Sequence, residues 1–224
     1  MNDDFFLDTY DSGVGSTIVF THGWTDNRNA WDGVITNLND HARCIAWSIR
    51  GHGESFAPPP GQYTRDHTLS DLKVITQRSK EKVILAGHSL GGYLSLAHSL
   101  LYPEDVEALI LVGAGPGFRK RESIDQWNSS VIESAKKLEL PEGSEATALH
   151  TDAWVIDSLS EIKVPTLVIV GEHDKRFKAS MSVFEKYLNV KSSVVVEDAG
   201  HSVHRKRPLE VANAIKDFLR EISQ

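Results

Sequence analysis

The sequence predicts an α/β protein whose mostly parallel sheet is covered by helices on both faces, and three observations predict it. Short β-branched runs recur along the chain, each is nearly continuous in apolar residues, and segments with helical spacing alternate with them. A strand with one face in water alternates apolar and polar residues, whereas a strand covered on both faces has no such constraint. Alternation of strands and helices over this length builds parallel sheet.

Taken in order, the strand-like runs are Thr17 to Phe20, Ala42 to Trp47, Val83 to Ala86, Val106 to Val112, Thr166 to Val170 and Ser193 to Val196. Helical spacing marks Ala30 to Leu38, Leu69 to Ser79, Leu90 to Leu101, Ala179 to Leu188 and Leu209 to Ile222. Pro208 stands just before the apolar stripe Val211, Ile215, Phe218 and Ile222, a helix-start signal because proline tolerates the first turn. No internal repeat or low-complexity stretch interrupts the pattern. One piece does: residues 115–160 show no strand signal. Within it Ile124, Trp127, Val131, Ala135 and Leu138 follow steps of three and four and form one apolar helix face. Pro141-Glu142-Gly143 breaks the chain before a second helix ending near Leu159.

The chain has 224 residues, 40% of them apolar and 25% charged, which suits one sizeable core in a soluble domain. A net charge of −7 leaves no basic footprint for nucleic acid. Arg119-Lys120-Arg121 is answered by Glu122, and Arg205-Lys206-Arg207 reads as a solvated helix approach. No run reaches the roughly 18 apolar residues of a membrane span. Met1-Asn2-Asp3-Asp4 lacks the layout of a secretion signal. Cys44 is the sole cysteine, so neither a disulfide within the chain nor a cysteine metal cluster is expected. The expected address is cytoplasmic.

The most specific chemical signal is Gly87-His88-Ser89-Leu90-Gly91-Gly92, which joins the strand Val83 to Ala86 directly to the helix Leu90 to Leu101. A turn this tight tolerates only very small neighbours, hence the glycines, and it thrusts Ser89 clear of the sheet at a helix N-terminus. A hydroxyl is a poor nucleophile without a base. His201 follows the last strand and precedes the last helix, so in a parallel sheet it shares the rim with Ser89. His204 is the nearest rival; His98 lies inside a helix, and His41, His67 and His150 read as surface residues. The base needs an acid to hold its tautomer. Asp174, at the end of Val170-Gly171-Glu172-His173-Asp174, reaches further into the loop than Glu172 and is preferred, with Asp152 and Asp157 as stand-ins. The backbone N–H groups of Trp24, in His22-Gly23-Trp24, and of Leu90 are the natural oxyanion donors.

With these residues in place the chain resembles an α/β-hydrolase from His22-Gly23 to its last helix, and Ser89, Asp174, His201 follow that family's order. Ile49-Arg50-Gly51-His52-Gly53-Glu54-Ser55 is similar to a loop of the same family, with Ser48 where an aspartate is usual. The resemblance implies a sheet of about seven to eight strands. It also implies a core of residues 1–114 and 161–224, and a small helical cap of residues 115–160 over the site. Trp127 and Val131 would then roof a substrate pocket. A serine hydrolase of the carboxylesterase kind is expected. It would cleave a small to medium ester, thioester or lactone through an acyl-enzyme, with a small acyl substrate as partner and with no cofactor or metal. Carbon–carbon bond hydrolysis and cofactor-free perhydrolysis use the same constellation. A ligand-sensing module on the same fold is the reading from another class. Epoxide and haloalkane hydrolysis are disfavoured, since relatives with those activities carry an aspartate where Ser89 stands. A dinucleotide site at Gly113-Ala114-Gly115-Pro116-Gly117 has the wrong glycine spacing. A metal site at His201-x-x-His204 or Glu172-His173-Asp174 lacks the helical zinc-protease pattern.

Overall fold

A computed structural model describes residues 5–138 and 140–224; the acidic segment Met1-Asn2-Asp3-Asp4 lies outside them. Seven strands form one sheet: β1 (Thr9–Ser12), β2 (Thr17–Thr21), β3 (Arg43–Trp47), β4 (Val83–His88), β5 (Val106–Val112), β6 (Pro165–Gly171) and β7 (Asn189–Val196). Their spatial order is β1-β3-β2-β4-β5-β6-β7. Only the edge strand β1 runs antiparallel, against β3; the pairs among β2 to β7 are parallel.

Successive side chains of a strand point to opposite faces, and the core splits accordingly. Ile18, Phe20, Ile84, Ile110 and Leu167 pack one face under α1 (Asp32–Thr36) and α8 (Pro208–Ile222). Val19, Leu85, Leu109, Leu111 and Val168 pack the other, with α2 (Arg65–Thr76) and α3 (Leu90–Leu101). Val211, Ile215 and Phe218 carry α8 onto the sheet, as its apolar stripe predicts. Thr64 caps α2 by accepting a hydrogen bond from the His67 N–H. The run Ala30 to Leu38 is shorter than its spacing suggests: a 3₁₀ turn at Arg28–Trp31 leads into only five α-helical residues. β7 departs from the apolar-run expectation. It starts earlier, at Asn189, and alternates exposed and half-buried residues because it is an edge strand.

Residues 115–160 leave the sheet after β5. They hold α4 (Arg121–Lys137) and α5 (Trp154–Ser158), joined by irregular chain and a short 3₁₀ turn. Ile124, Val131 and Ala135 are buried as the spacing predicts, but Leu138 is exposed, because it is the residue that ends α4 rather than part of its face. Two hydrogen-bonded stitches fix α4 to the chain beyond it. The Trp127 indole N–H donates to the Ala148 carbonyl (2.8 Å), and the Asn128 amide both donates to the His150 carbonyl (2.8 Å) and accepts from its N–H (2.9 Å). α6 (Ser180–Tyr187) and α7 (Val203–Lys206) complete the set. No helix among the described residues is long and apolar enough to cross a membrane. Cys44 is buried and free, and burial pushes its thiol up to about 12.

Candidate active site

The sharpest local feature is Ser89, with φ of 51° and ψ of −112°, held between the end of β4 and the start of α3. A non-glycine residue at positive φ is strained and persists only where its surroundings impose it. Here the Ser89 N–H donates to the Val112 carbonyl, tying the turn to the neighbouring strand (3.0 Å). The glycine two residues on is required by close approach: a Cβ on Gly91 would sit 2.2 Å from the Thr21 carbonyl oxygen. The helix therefore starts against the end of β2, and Ser89 stands half-buried above the sheet.

His201 comes from the loop between β7 and α7, and Asp174 from the loop after β6. Their side chains meet, with His201 Nδ1 2.8 Å from Asp174 Oδ2. Burial alone would raise the Asp174 pKa. The hydrogen bond and charge of His201, with the N–H groups of Phe177 and Arg176, outweigh it and hold the carboxyl below the usual range. Asp174 is thus an anion with one oxygen committed to the imidazole Nδ1, a contact that leaves Nε2 for other partners. Glu172 does something else: its carboxylate accepts from the Asp198 N–H at 3.2 Å on the exposed rim. Asp152 and Asp157 pair with Arg65 and Arg119 and lie outside the cluster.

His204 is buried and its ring nests against His88 and Trp31. Burial first, and then the nearby Arg205 charge, drive it down to about 3, so it is a neutral packing residue. His88 Nε2–H donates to the His201 carbonyl at 3.0 Å, and burial keeps the ring neutral too. His98 is wholly buried inside α3. The expectation that His150 is a surface residue is wrong. It is 7% exposed, walled in by Tyr93, Phe118 and Trp127, and burial, helped by Arg65, lowers it to about 4. No periodic signal surrounds His150, since it is buried by residues distant in sequence.

Gly113 is the second glycine with a geometric reason. It has φ of 51°, and a Cβ there would lie 3.2 Å from Asp174 Oδ2 and 3.3 Å from His201 Nδ1. The glycine-rich stretch after β5 gives clearance to the acid–base pair, a role its spacing alone does not disclose.

Among the described residues neither the Trp24 N–H nor the Leu90 N–H donates to a protein acceptor, as oxyanion donors require. The loop bearing Trp24 is held from behind. The Arg28 N–H donates to Ser48 Oγ (3.1 Å), Ser48 Oγ donates to Asp8 Oδ2 (2.9 Å), and Asp8 pairs with the Arg28 side chain at 2.6 Å. Asp8 thus supplies the carboxylate that Ser48 and Arg28 share. His22 braces the same loop, with Nδ1 on the Gly23 carbonyl (2.7 Å) and Nε2 accepting from the Ile49 N–H (2.9 Å).

Two cavities meet at Ser89. One, of 410 Å³, is lined by Leu90, Tyr93, Phe118, His150 and Phe177 among others; the other, of 430 Å³, by Trp24, Asp26, Val131, His201 and Ser202. Trp127 and Arg176 line both. Val131 lines the second only. Glu172, His173 and Asp198 form a fully exposed group at the rim with metal-binding atoms in mutual reach, apart from the Ser89 cavities. Chemically, the assembly offers a hydroxyl on a strained turn, an imidazole backed by a buried carboxylate, and two amides without a protein acceptor at two adjoining cavities, groups that acyl transfer can use.

A family model described as the alpha/beta hydrolase fold matches residues 16–134. The chain is 27% identical to a putative 2-succinyl-6-hydroxy-2,4-cyclohexadiene-1-carboxylate synthase of Bacillus subtilis, covering 93% of this chain and 92% of that protein. It is 23% identical to a pimeloyl-[acyl-carrier protein] methyl ester esterase of Wigglesworthia glossinidia brevipalpis, over 94% and 96%. Among solved structures, a thermophilic esterase from Thermogutta terrifontis superposes with a TM-score of 0.82 at 26% identity, over 97% of this chain and 94% of that one. The chain belongs to the alpha/beta hydrolase fold family.

Proposed function

We propose that this protein is a serine hydrolase that cleaves a small to medium carboxylic ester through an acyl-enzyme, with Ser89 as nucleophile, His201 as base and Asp174 as its orienting acid. The observation that carries this reading is the Asp174–His201 contact at 2.8 Å at the cavity that also holds Ser89 and the Trp24 amide. Ser89 Oγ gives its proton to His201 Nε2 as it bonds to the carbonyl carbon, and the oxyanion takes the Trp24 and Leu90 N–H groups. The C–O bond to the alcohol then breaks as His201 returns the proton to the leaving oxygen, and water repeats the sequence to free the acid. The esterase names of two of the relatives support this reading.

The synthase relative suggests a second reading, a site for a substrate with several carboxylates, since its named product contains a carboxylate and a succinyl group. Arg176 is the only arginine or lysine lining the two cavities, which favours a neutral or singly charged ester. Fluorophosphonate labelling and hydrolysis of simple esters test the proposal. Ser89→Ala is expected to lose labelling and at least about 10³-fold in turnover, because the three residues act as a unit. Labelling that persists at another serine would remove Ser89 from the role. Absence of multiple turnover on any ester, with labelling intact, would favour a sensing module.

A further inference from the structure

The two cavities differ in chemistry, and the position of the base says which part of an ester enters each. During acylation the leaving oxygen must receive its proton from the base. His201 lines the second cavity and not the first. The alcohol half therefore belongs on the His201 side and the acyl half in the other cavity.

The acyl cavity is walled by rings. Tyr93, Phe118 and Trp127 all turn onto His150, at centroid distances of 4.5, 5.3 and 5.8 Å and interplanar angles of 81°, 86° and 64°. Phe177 closes the side toward the base, stacked on His201 at 4.9 Å and 18°. His150 is neutral, so this wall carries no charge. The Tyr93 hydroxyl is already occupied by Arg65 at 3.0 Å. At 410 Å³ the cavity lies toward the small end of the roughly 300–1,000 Å³ of small-molecule sites. That is room for a flat ring.

The alcohol cavity is the more polar of the two, with Trp24, Trp127 and Val131 as its apolar part. Thr25, Asp26, Ser130, Ser134 and Ser202 line it, and Arg176 stands at its junction with the acyl side, its guanidinium 5.5 Å from the Trp127 ring. Asp26 is spent on Arg205. Among the described residues no carboxylate lies within 4.0 Å of Arg176, so its charge is available to a ligand.

We infer that the preferred substrates are esters of a flat cyclic or aromatic acid with a small hydroxylated or singly anionic alcohol. The ring stacks in the acyl cavity beside His150, and the alcohol faces Arg176 and the hydroxyls. This inference rests on the proposed serine hydrolase chemistry and specifies the substrate class of the same site.

Three esters test it: 2-hydroxyethyl phenylacetate, 2-hydroxyethyl hexanoate and butyl phenylacetate. The first is expected to exceed the second in kcat/KM by roughly tenfold, the worth of one to two ring–ring contacts, and to exceed the third as well. Phe118→Leu, which removes a ring but no hydrogen bond, should bring phenylacetate and hexanoate esters to within about twofold of each other. Trp127→Leu should do the same, and its melting temperature reports whether loss of the Ala148 hydrogen bond has loosened the cap instead. Benzylboronic acid, which adds reversibly to an active serine, should inhibit about tenfold more tightly than pentylboronic acid in the unmodified protein. Equal or greater activity on the hexanoate ester, or faster cleavage of the butyl ester, would overturn the inference. Failure to label Ser89 with a fluorophosphonate would instead strike the proposed chemistry, so the two failures are distinguishable.

Discussion

Asp174 and Glu172 are two carboxylates two residues apart with different surroundings. Asp174 is buried with an oxygen on His201 Nδ1 and N–H groups around it, while Glu172 sits at the exposed rim and receives the Asp198 N–H. If the first orients the base, Asp174→Asn keeps the shape and reverses the hydrogen-bond logic, since an amide can present its N–H to a ring nitrogen and select the wrong tautomer. The expected loss in kcat is on the order of 10⁴, the magnitude seen for that change in a Ser-His-Asp protease. Glu172→Gln should cost less than about threefold, because a neutral amide oxygen still accepts from Asp198 at an exposed site where charge is worth little. Kinetics of both variants on one ester would exchange the roles if Glu172→Gln proved the worse.

At the scale of elements, the loop after β5 is set by what it must avoid. An alanine at Gly113 meets both Asp174 and His201 at 3.2–3.3 Å and adds strain at φ of 51°, about 1–2 kcal/mol for an L-residue in that region. Gly113→Ala should displace the acid–base pair and lower kcat by a factor on the order of 10² if the shift approaches an ångström. Unchanged turnover would show that the loop relaxes elsewhere. This loop also marks the boundary of what was readable in the sequence. Ser89 and His201 were legible because strand, turn and helix follow one another locally and place them at one rim. Gly113 and His150 were not, because their roles come from approaches across 61 and 57 residues of chain, to Asp174 and to Tyr93. Leu138 was misassigned to the α4 face for a simpler reason: periodicity continues past the point where the helix ends. The Ser48 position was readable as a departure, but its compensation by Asp8 was not, since β1 had to be placed against β3 first.

The whole molecule carries several histidines that folding keeps neutral. Burial lowers His22 and His204 to about 3, and His98 and His150 to about 4, against about 6.5 in an unfolded chain. A depressed histidine contributes stability that is complete above the unfolded value and is lost as pH falls below it, since the unfolded chain then binds protons the folded one refuses. Each such group can remove up to about 1.4 kcal/mol per pH unit below roughly 6.5. Denaturant unfolding should therefore show stability falling steeply from pH 6.5 to about 4. Asp26, Asp152 and Asp174, all held low, add their own losses at more acidic pH still. His204→Phe should flatten the acid limb; a stability profile level from pH 6.5 to 4.5 would contradict this account.

The link from Asp8 through Ser48 to Arg28 also joins two parts of the molecule that differ in durability. Asp8 directly precedes β1, the four-residue outermost strand and the only one that runs against the others. Short edge strands are expected to open before the core, at a fraction of the energy of global unfolding. Opening of β1 would withdraw the carboxylate that Arg28 and Ser48 share and is expected to slacken the segment bearing the Trp24 amide while the parallel core stays intact. If that amide serves as proposed, activity is expected to decline on heating before the molecule denatures.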